Sequence, residues 1–100
     1  MQLVMMVFRT SFEHEVLPLV EHEQLPYTRF DSVQGKGDTG SVPGSVTWGG
    51  SNTVLLVAVP DDRLNGFRER VRKFEAELEV QRQNVGVPFH VFVLPCLQWF

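Results

Sequence analysis

The chain is short of cysteine, of long apolar runs and of blocks of one charge, and each shortage excludes a class of protein. Cys96 is the single cysteine in 100 residues, so an intrachain disulfide and a cysteine-based zinc cluster are ruled out. No apolar stretch approaches the roughly 18–20 residues that span a bilayer. The opening Met1-Gln2-Leu3-Val4-Met5-Met6 carries no basic region and no small-residue cleavage site. It does not read as a secretory signal, and a cytoplasmic location is expected. Nine Lys and Arg stand against twelve Asp and Glu, a formal net charge of −3. The basic residues are mostly interleaved with Glu, so the clustered basic face of a nucleic-acid binder is missing. With 43% hydrophobic residues the chain is too apolar to be disordered. Its length suits one domain, 1–100, with a thin core that oligomerisation would supplement.

What is present organises into six elements. Residues 2–8 form a nearly continuous apolar run, read as a buried strand. Ser11 offers a cap for a first helix, with Glu13 and Glu15 at its positive end. Phe12, Val16, Leu19 and Val20 carry the helical spacing towards Gln24, with Pro18 as an expected kink and Leu25-Pro26 as the stop. Tyr27 to Val33 alternates as a strand, with Tyr27, Arg29, Asp31 and Val33 on one face. Residues 34–52 hold six of the eight glycines and Pro43, a loop long enough to suggest function. Thr53 to Val59 is apolar on both faces and reads as a central strand. Asp61 or Asp62 is the expected cap of a second helix, in which Leu64, Phe67, Val71, Phe74 and Leu78 form one stripe. Phe89 to Leu94 is the last strand.

The order β-α-β-β-α-β is the ferredoxin-like plan, an α+β fold with a four-stranded antiparallel sheet and two helices on one face. Right-handed crossovers give a strand order of 4-1-3-2. Helices cover only one sheet face, yet the two central strands are apolar on both. Burial of the second face against other copies is therefore expected. The apolar tail Leu97-Gln98-Trp99-Phe100 is expected to dock on a neighbour.

Four features, in order, make the chain resemble the PII-like superfamily of trimeric signalling proteins. They are Val33-Gln34-Gly35-Lys36-Gly37 at the end of the second strand, a long insertion like the PII T-loop, Val57-Ala58-Val59-Pro60-Asp61-Asp62 at a strand-to-helix junction, and the terminal strand Phe89-His90-Val91-Phe92-Val93. The resemblance spans nearly the whole chain. It implies a homotrimer, ligand sites in the clefts between subunits, and a mobile loop that reports ligand state to a protein target. Contact with a membrane is implied only through a membrane-protein target. The departures are specific. The glycine- and lysine-bearing B-loop is replaced by Gln83-Asn84-Val85-Gly86-Val87-Pro88, the arginines after the last strand by Cys96-Leu97-Gln98-Trp99-Phe100, and the loop has no tyrosine. Sensing of ATP and ADP, sensing of 2-oxoglutarate and uridylylation are therefore not carried over.

The site expected from this reading is the base of the loop. Gly35 and Gly37 can present converging backbone N–H groups, Lys36 adds positive charge and Asp38 partly cancels it. Asn52 closes the loop, as a ligand contact or as the turn into the next strand. Arg82 can lean into a cleft from the end of the second helix, and Trp48 can insert into a partner's pocket. The expected effector is a small anionic metabolite, with a nucleotide as the candidate, and no cofactor is needed for folding. Two alternatives stand beside it. One is divalent-metal binding, as in the CutA-type proteins of the same trimeric fold; against it, His14 and His22 lie eight residues apart on one helix, ~12 Å by rise. The other is a trimeric adaptor indifferent to ligand. His90 reads as a packed sheet histidine and Cys96 as a small apolar residue. Arg9 and Asn52 superficially match an acylphosphatase, but Arg9-Thr10-Ser11 contains no glycine-bearing phosphate cradle, so no enzyme is expected.

Overall fold

The computed structural model describes residues 1–35, 51–81 and 89–100. The elements run β1 (Gln2–Arg9), a 3-10 turn (Thr10–Phe12), α1 (Glu13–His22), β2 (Tyr27–Val33), β3 (Asn52–Val59), α2 (Asp61–Gln81) and β4 (Phe89–Pro95). Among the described residues the strands form one open antiparallel sheet in the order β2-β3-β1-β4. This is the ferredoxin-like order that the sequence implies. No helix among the described residues is long and apolar enough to cross a membrane.

Strand periodicity divides the sheet into two faces. Val4, Met6 and Phe8 of β1, Thr53, Leu55, Val57 and Val59 of β3, and Phe89 of β4 are buried. Their apolar members form one core with Phe12, Val16 and Val20 from the α1 segment and Phe67 and Val71 of α2. The stripe expected on α2 is the stripe that packs: Phe67, Val71 and Leu78 are buried, and Leu64 and Phe74 are partly so. Phe74 meets Phe89 edge-on at 5.5 Å between ring centres, a favoured aromatic geometry.

The intervening residues point the other way. Leu3, Met5 and Val7 of β1 stand opposite Ala58, Leu56 and Val54 of β3 and opposite Leu94, Phe92 and His90 of β4. Thr28 and Phe30 of β2 extend the same rows. Phe30, Phe92 and Leu94 are 45–50% exposed, and no described helix lies over them. The sheet thus carries an apolar face that no described helix covers.

Three local expectations differ from the structure. Ser11 is not the α1 cap. The backbone enters through the 3-10 turn, and Phe12 occupies the cap position without a side-chain hydrogen bond. Asp61 and Asp62 lie inside the first turn of α2, not before it, where their charge favours the helix dipole. Val33 is not on the face of Tyr27 and Arg29. The register slips by one residue between Phe30 and Val33, with Ser32 at φ 55°, so Val33 stands opposite Asn52 on the open face. An extra residue in a strand does this, because side chains alternate with a period of two.

The end of α1 shows why it stops before Gln24. Gln24 has φ 54°, its N–H donates to the Glu21 carbonyl, and the Leu25 N–H donates to the Val20 carbonyl. Those two bonds define a Schellman cap, here with glutamine where glycine is usual. Leu25 and Val20 are both buried, the apolar contact that completes the motif. The same turn straps Glu23 against α2. Arg70 Nε donates to Glu23 Oε1 at 2.6 Å, and Arg63 Nη2 donates to Oε2 at 2.9 Å and to the Glu23 carbonyl. Hydrogen bonding from Arg70, then from Arg63, holds the Glu23 carboxyl below its ordinary value of 4.5. A carboxylate lowered by folding stabilises the fold above its unfolded-state value and loses that contribution as pH falls through its folded-state value. Glu23→Gln should therefore lower the urea midpoint at pH 7. The difference from the parent chain should shrink once pH drops below 4.5. An offset of equal size in neutral and in strongly acidic buffer would contradict this strap.

Candidate functional site

Three strand ends meet where the glycine-rich segment leaves and rejoins the sheet. Arg9 at the end of β1 lies opposite Asn52 at the start of β3, and Asn52 lies opposite Val33 at the end of β2. The rim is therefore Arg9, Asn52, Val33 and, two residues on, Gly35. This places Gly35 and Asn52, expected together at the loop base, side by side. A Cβ built on Gly35 would lie 3.5 Å from the Asn52 amide nitrogen, an ordinary contact, and Gly35 has no left-handed φ. No close contact or backbone angle among the described residues demands glycine there. Lys36, Gly37, Asp38, Trp48 and Arg82, the other expected site residues, lie outside the described residues.

Under this rim sits a hydroxyl chain that the sequence did not signal. Thr53 is fully buried, and its hydroxyl lies 2.9 Å from that of Thr10. Ser51 Oγ donates to Thr10 Oγ1 at 3.1 Å, and the Thr10 N–H donates to the Ser51 carbonyl at 3.1 Å. Ser51 is thereby tied through Thr10 to the core, and the start of β3 to the start of the α1 segment. Serine and threonine in separate segments have no pattern that pairs them; only the β1–β3 register brings them together. These hydroxyls bond to one another, and no acid or base takes part in those bonds. The group is a structural anchor rather than an activated nucleophile, which would need an adjacent base.

The remaining candidates separate. Arg9 and Asn52 are cross-strand neighbours, but the chain after Arg9 closes at once into the 3-10 turn, leaving no phosphate cradle of the acylphosphatase kind. His14 and His22 are exposed on α1. No group of three His, Cys, Asp or Glu side chains stands close enough to hold a metal among the described residues. His90 is not packed in the sheet as expected. It is exposed on the open face, with its ring stacked on Phe92 at 6.3 Å and 26°. Cys96 is free and partly buried. A shallow depression over the helices, lined by Glu15, Phe74, Glu77 and Leu78, adds no group to the rim.

No protein-family model and no curated protein matches the sequence. Solved structures do match. CPII, a nitrogen regulatory PII-like protein from Thiomonas intermedia K12 whose structure was obtained bound to ADP, AMP and bicarbonate, superposes with a TM-score of 0.66 at 18% identity, covering 92% of this chain and 81% of that one. A protein of unknown function from Pediococcus pentosaceus ATCC 25745 gives a TM-score of 0.63 at 14% identity over 99% and 94%. A candidate PII-like signalling protein from Thermus thermophilus gives 0.55 at 20% identity over 93% and 84%. The chain has the fold of the PII-like proteins. Of the four sequence features that suggested it, the strand-to-helix junction at Pro60 and the terminal strand sit in the matching architecture. The glycine-rich insertion beyond Gly35 lies outside the described residues until Ser51.

The hydroxyl chain yields a direct expectation. Thr53→Val, nearly isosteric, should cost about 1 kcal/mol, the net worth of one hydrogen bond. Thr10→Val, which severs both side-chain bonds, should cost more. Urea denaturation of the two variants checks the order, and equal or negligible losses would show that the chain anchors nothing.

Proposed function

We propose that the protein is a PII-like regulator rather than an enzyme, a homotrimer of one domain per chain. In this reading it binds a small anionic metabolite, an adenine nucleotide first among them, in clefts between copies at the loop-bearing rim. The carrying observation is the fold shared with CPII, whose structure holds ADP, AMP and bicarbonate. The rim adds support. It lies at the sheet end from which the glycine-rich segment departs, and neither crowding by the described residues nor backbone angle requires glycine at Gly35. A glycine without an internal reason is suited to close approach by a ligand or a second backbone.

In this reading Gly35 and Gly37 supply backbone donors, Lys36 and Arg82 supply charge, and Asp38 limits the charge of the guest. Asn52 stands at the junction of the two loop stems. The segment 34–52 carries the response to a protein target, with Trp48 as its contact, in a cytoplasmic setting. A ligand can bias the segment only by its differential affinity for two arrangements. The hydroxyl chain of Thr10, Ser51 and Thr53 fixes one stem, so that a bias at the rim is not lost in movement of β3.

Thermal unfolding with ADP, AMP and bicarbonate tests the reading. A ligand at 100 times its Kd adds ~2.7 kcal/mol to stability. ADP should raise Tm in the parent chain. Gly35→Ala should leave the ligand-free Tm unchanged, because the added Cβ meets only an ordinary contact, while abolishing the ADP shift. Silence of the parent chain to all three compounds would overturn the reading.

A further inference from the structure

The open sheet face contains one titratable side chain in its apolar rows, and that side chain is histidine. The row nearest the rim reads His90 of β4, Val7 of β1, Val54 of β3 and Phe30 of β2. The next reads Phe92, Met5, Leu56 and Thr28, and the third Leu94, Leu3 and Ala58. In the assembly proposed above, the occupant of this face is a further copy of the same chain. The three rows hold no acid and no fixed cation, so like faces meet without repulsion despite a net charge of −3. At ~4.8 Å between strands and ~3.4 Å per residue, these three rows cover roughly 360 Å². That is within the ~300–600 Å² of the largest apolar patches on single chains, which are often functional. It is below the ~800 Å² per partner of a standard interface. The exposed Leu97, Trp99 and Phe100 are further apolar surface beyond the end of β4.

We propose that assembly through this face is proton-linked, with His90 as the sensing group. Histidine is the side chain whose charge changes within the physiological range, and a charge buried without a partner is costly. The described surroundings within one chain supply no acid to pair with it. Across from His90 stands Val7, and along β4 on the same face stands Phe92, on whose ring it stacks. No described helix packs on this side. The charged residue of β1 on this face is Arg9, one step beyond Val7, and its sign opposes a second positive charge. Closing the face over His90 thus selects the neutral imidazole, and acid opens the assembly. With three chains, up to three protons are taken up on separation, so the association constant falls by as much as about a thousandfold per pH unit.

This inference rests on the assembly reading above, and one experiment separates the two. Sedimentation equilibrium of the full chain is run from about pH 8 to about pH 5, the range that brackets histidine titration, with circular dichroism confirming that the protomer stays folded. The expected result is a trimer at the alkaline end that dissociates steeply below neutrality. His90→Phe and His90→Gln should hold the trimer across the range, while His14→Gln and His22→Gln, on α1, should follow the parent profile. A trimer indifferent to pH, or His90 variants that dissociate as the parent does, would overturn the proton linkage alone. A folded single chain at the alkaline end would overturn both the linkage and the assembly.

Discussion

A sheet with two apolar faces and helices for only one of them is the constraint from which the rest follows. Burial of Val4, Met6, Leu55 and Val57 beneath α1 and α2 gives the chain its core. The residues between them, Leu3, Met5, Val54 and Leu56, have the same chemistry and no described helix over them. Two helices are too little to sandwich the sheet. The apolar surface left over favours association, and the tail Leu97-Gln98-Trp99-Phe100 extends that tendency past the end of β4. Regular alternation in β1 and β3 is what makes both faces apolar, so the core and the proposed interface are written by the same strands, on alternate residues.

The fold was legible because its signals are periodic. The stripe on α2, the apolar runs of β1 and β3 and the prolines at Pro26 and Pro60 placed the elements close to their observed bounds. What the sequence hid depends on single residues or on register. The bulge in β2 turns on Ser32 in a left-handed conformation, which its residue type does not announce. The Schellman end of α1 uses Gln24 where glycine would have been a signal. The strap of Glu23 to Arg63 and Arg70 joins residues 40 and 47 apart, a separation that no local pattern bridges.

The rim of the site was legible only in part. Gly35 and Asn52 were expected at the loop base, and the β2–β3 register does bring them together. The hydroxyl chain beneath them was not, since Thr10, Ser51 and Thr53 acquire meaning only when β1 and β3 pair. His90 departs from expectation for a related reason: an apolar strand suggests burial, but β4 lies at the sheet edge with every second residue on the open side. The rim and the open face are adjacent, joined through Arg9 and Asn52 at the end of the His90 row. The ligand proposed at the rim and the copies proposed to pack across the face would therefore be neighbours in space. In the proposed regulator they form one continuous surface, with the glycine-rich segment starting from its border.

Molar mass by light scattering, on the chain eluting at micromolar concentration in mildly alkaline buffer, tests the uncovered face most directly. The account predicts three times the chain mass. A well-folded species of one chain mass, stable in dilute buffer, would contradict it.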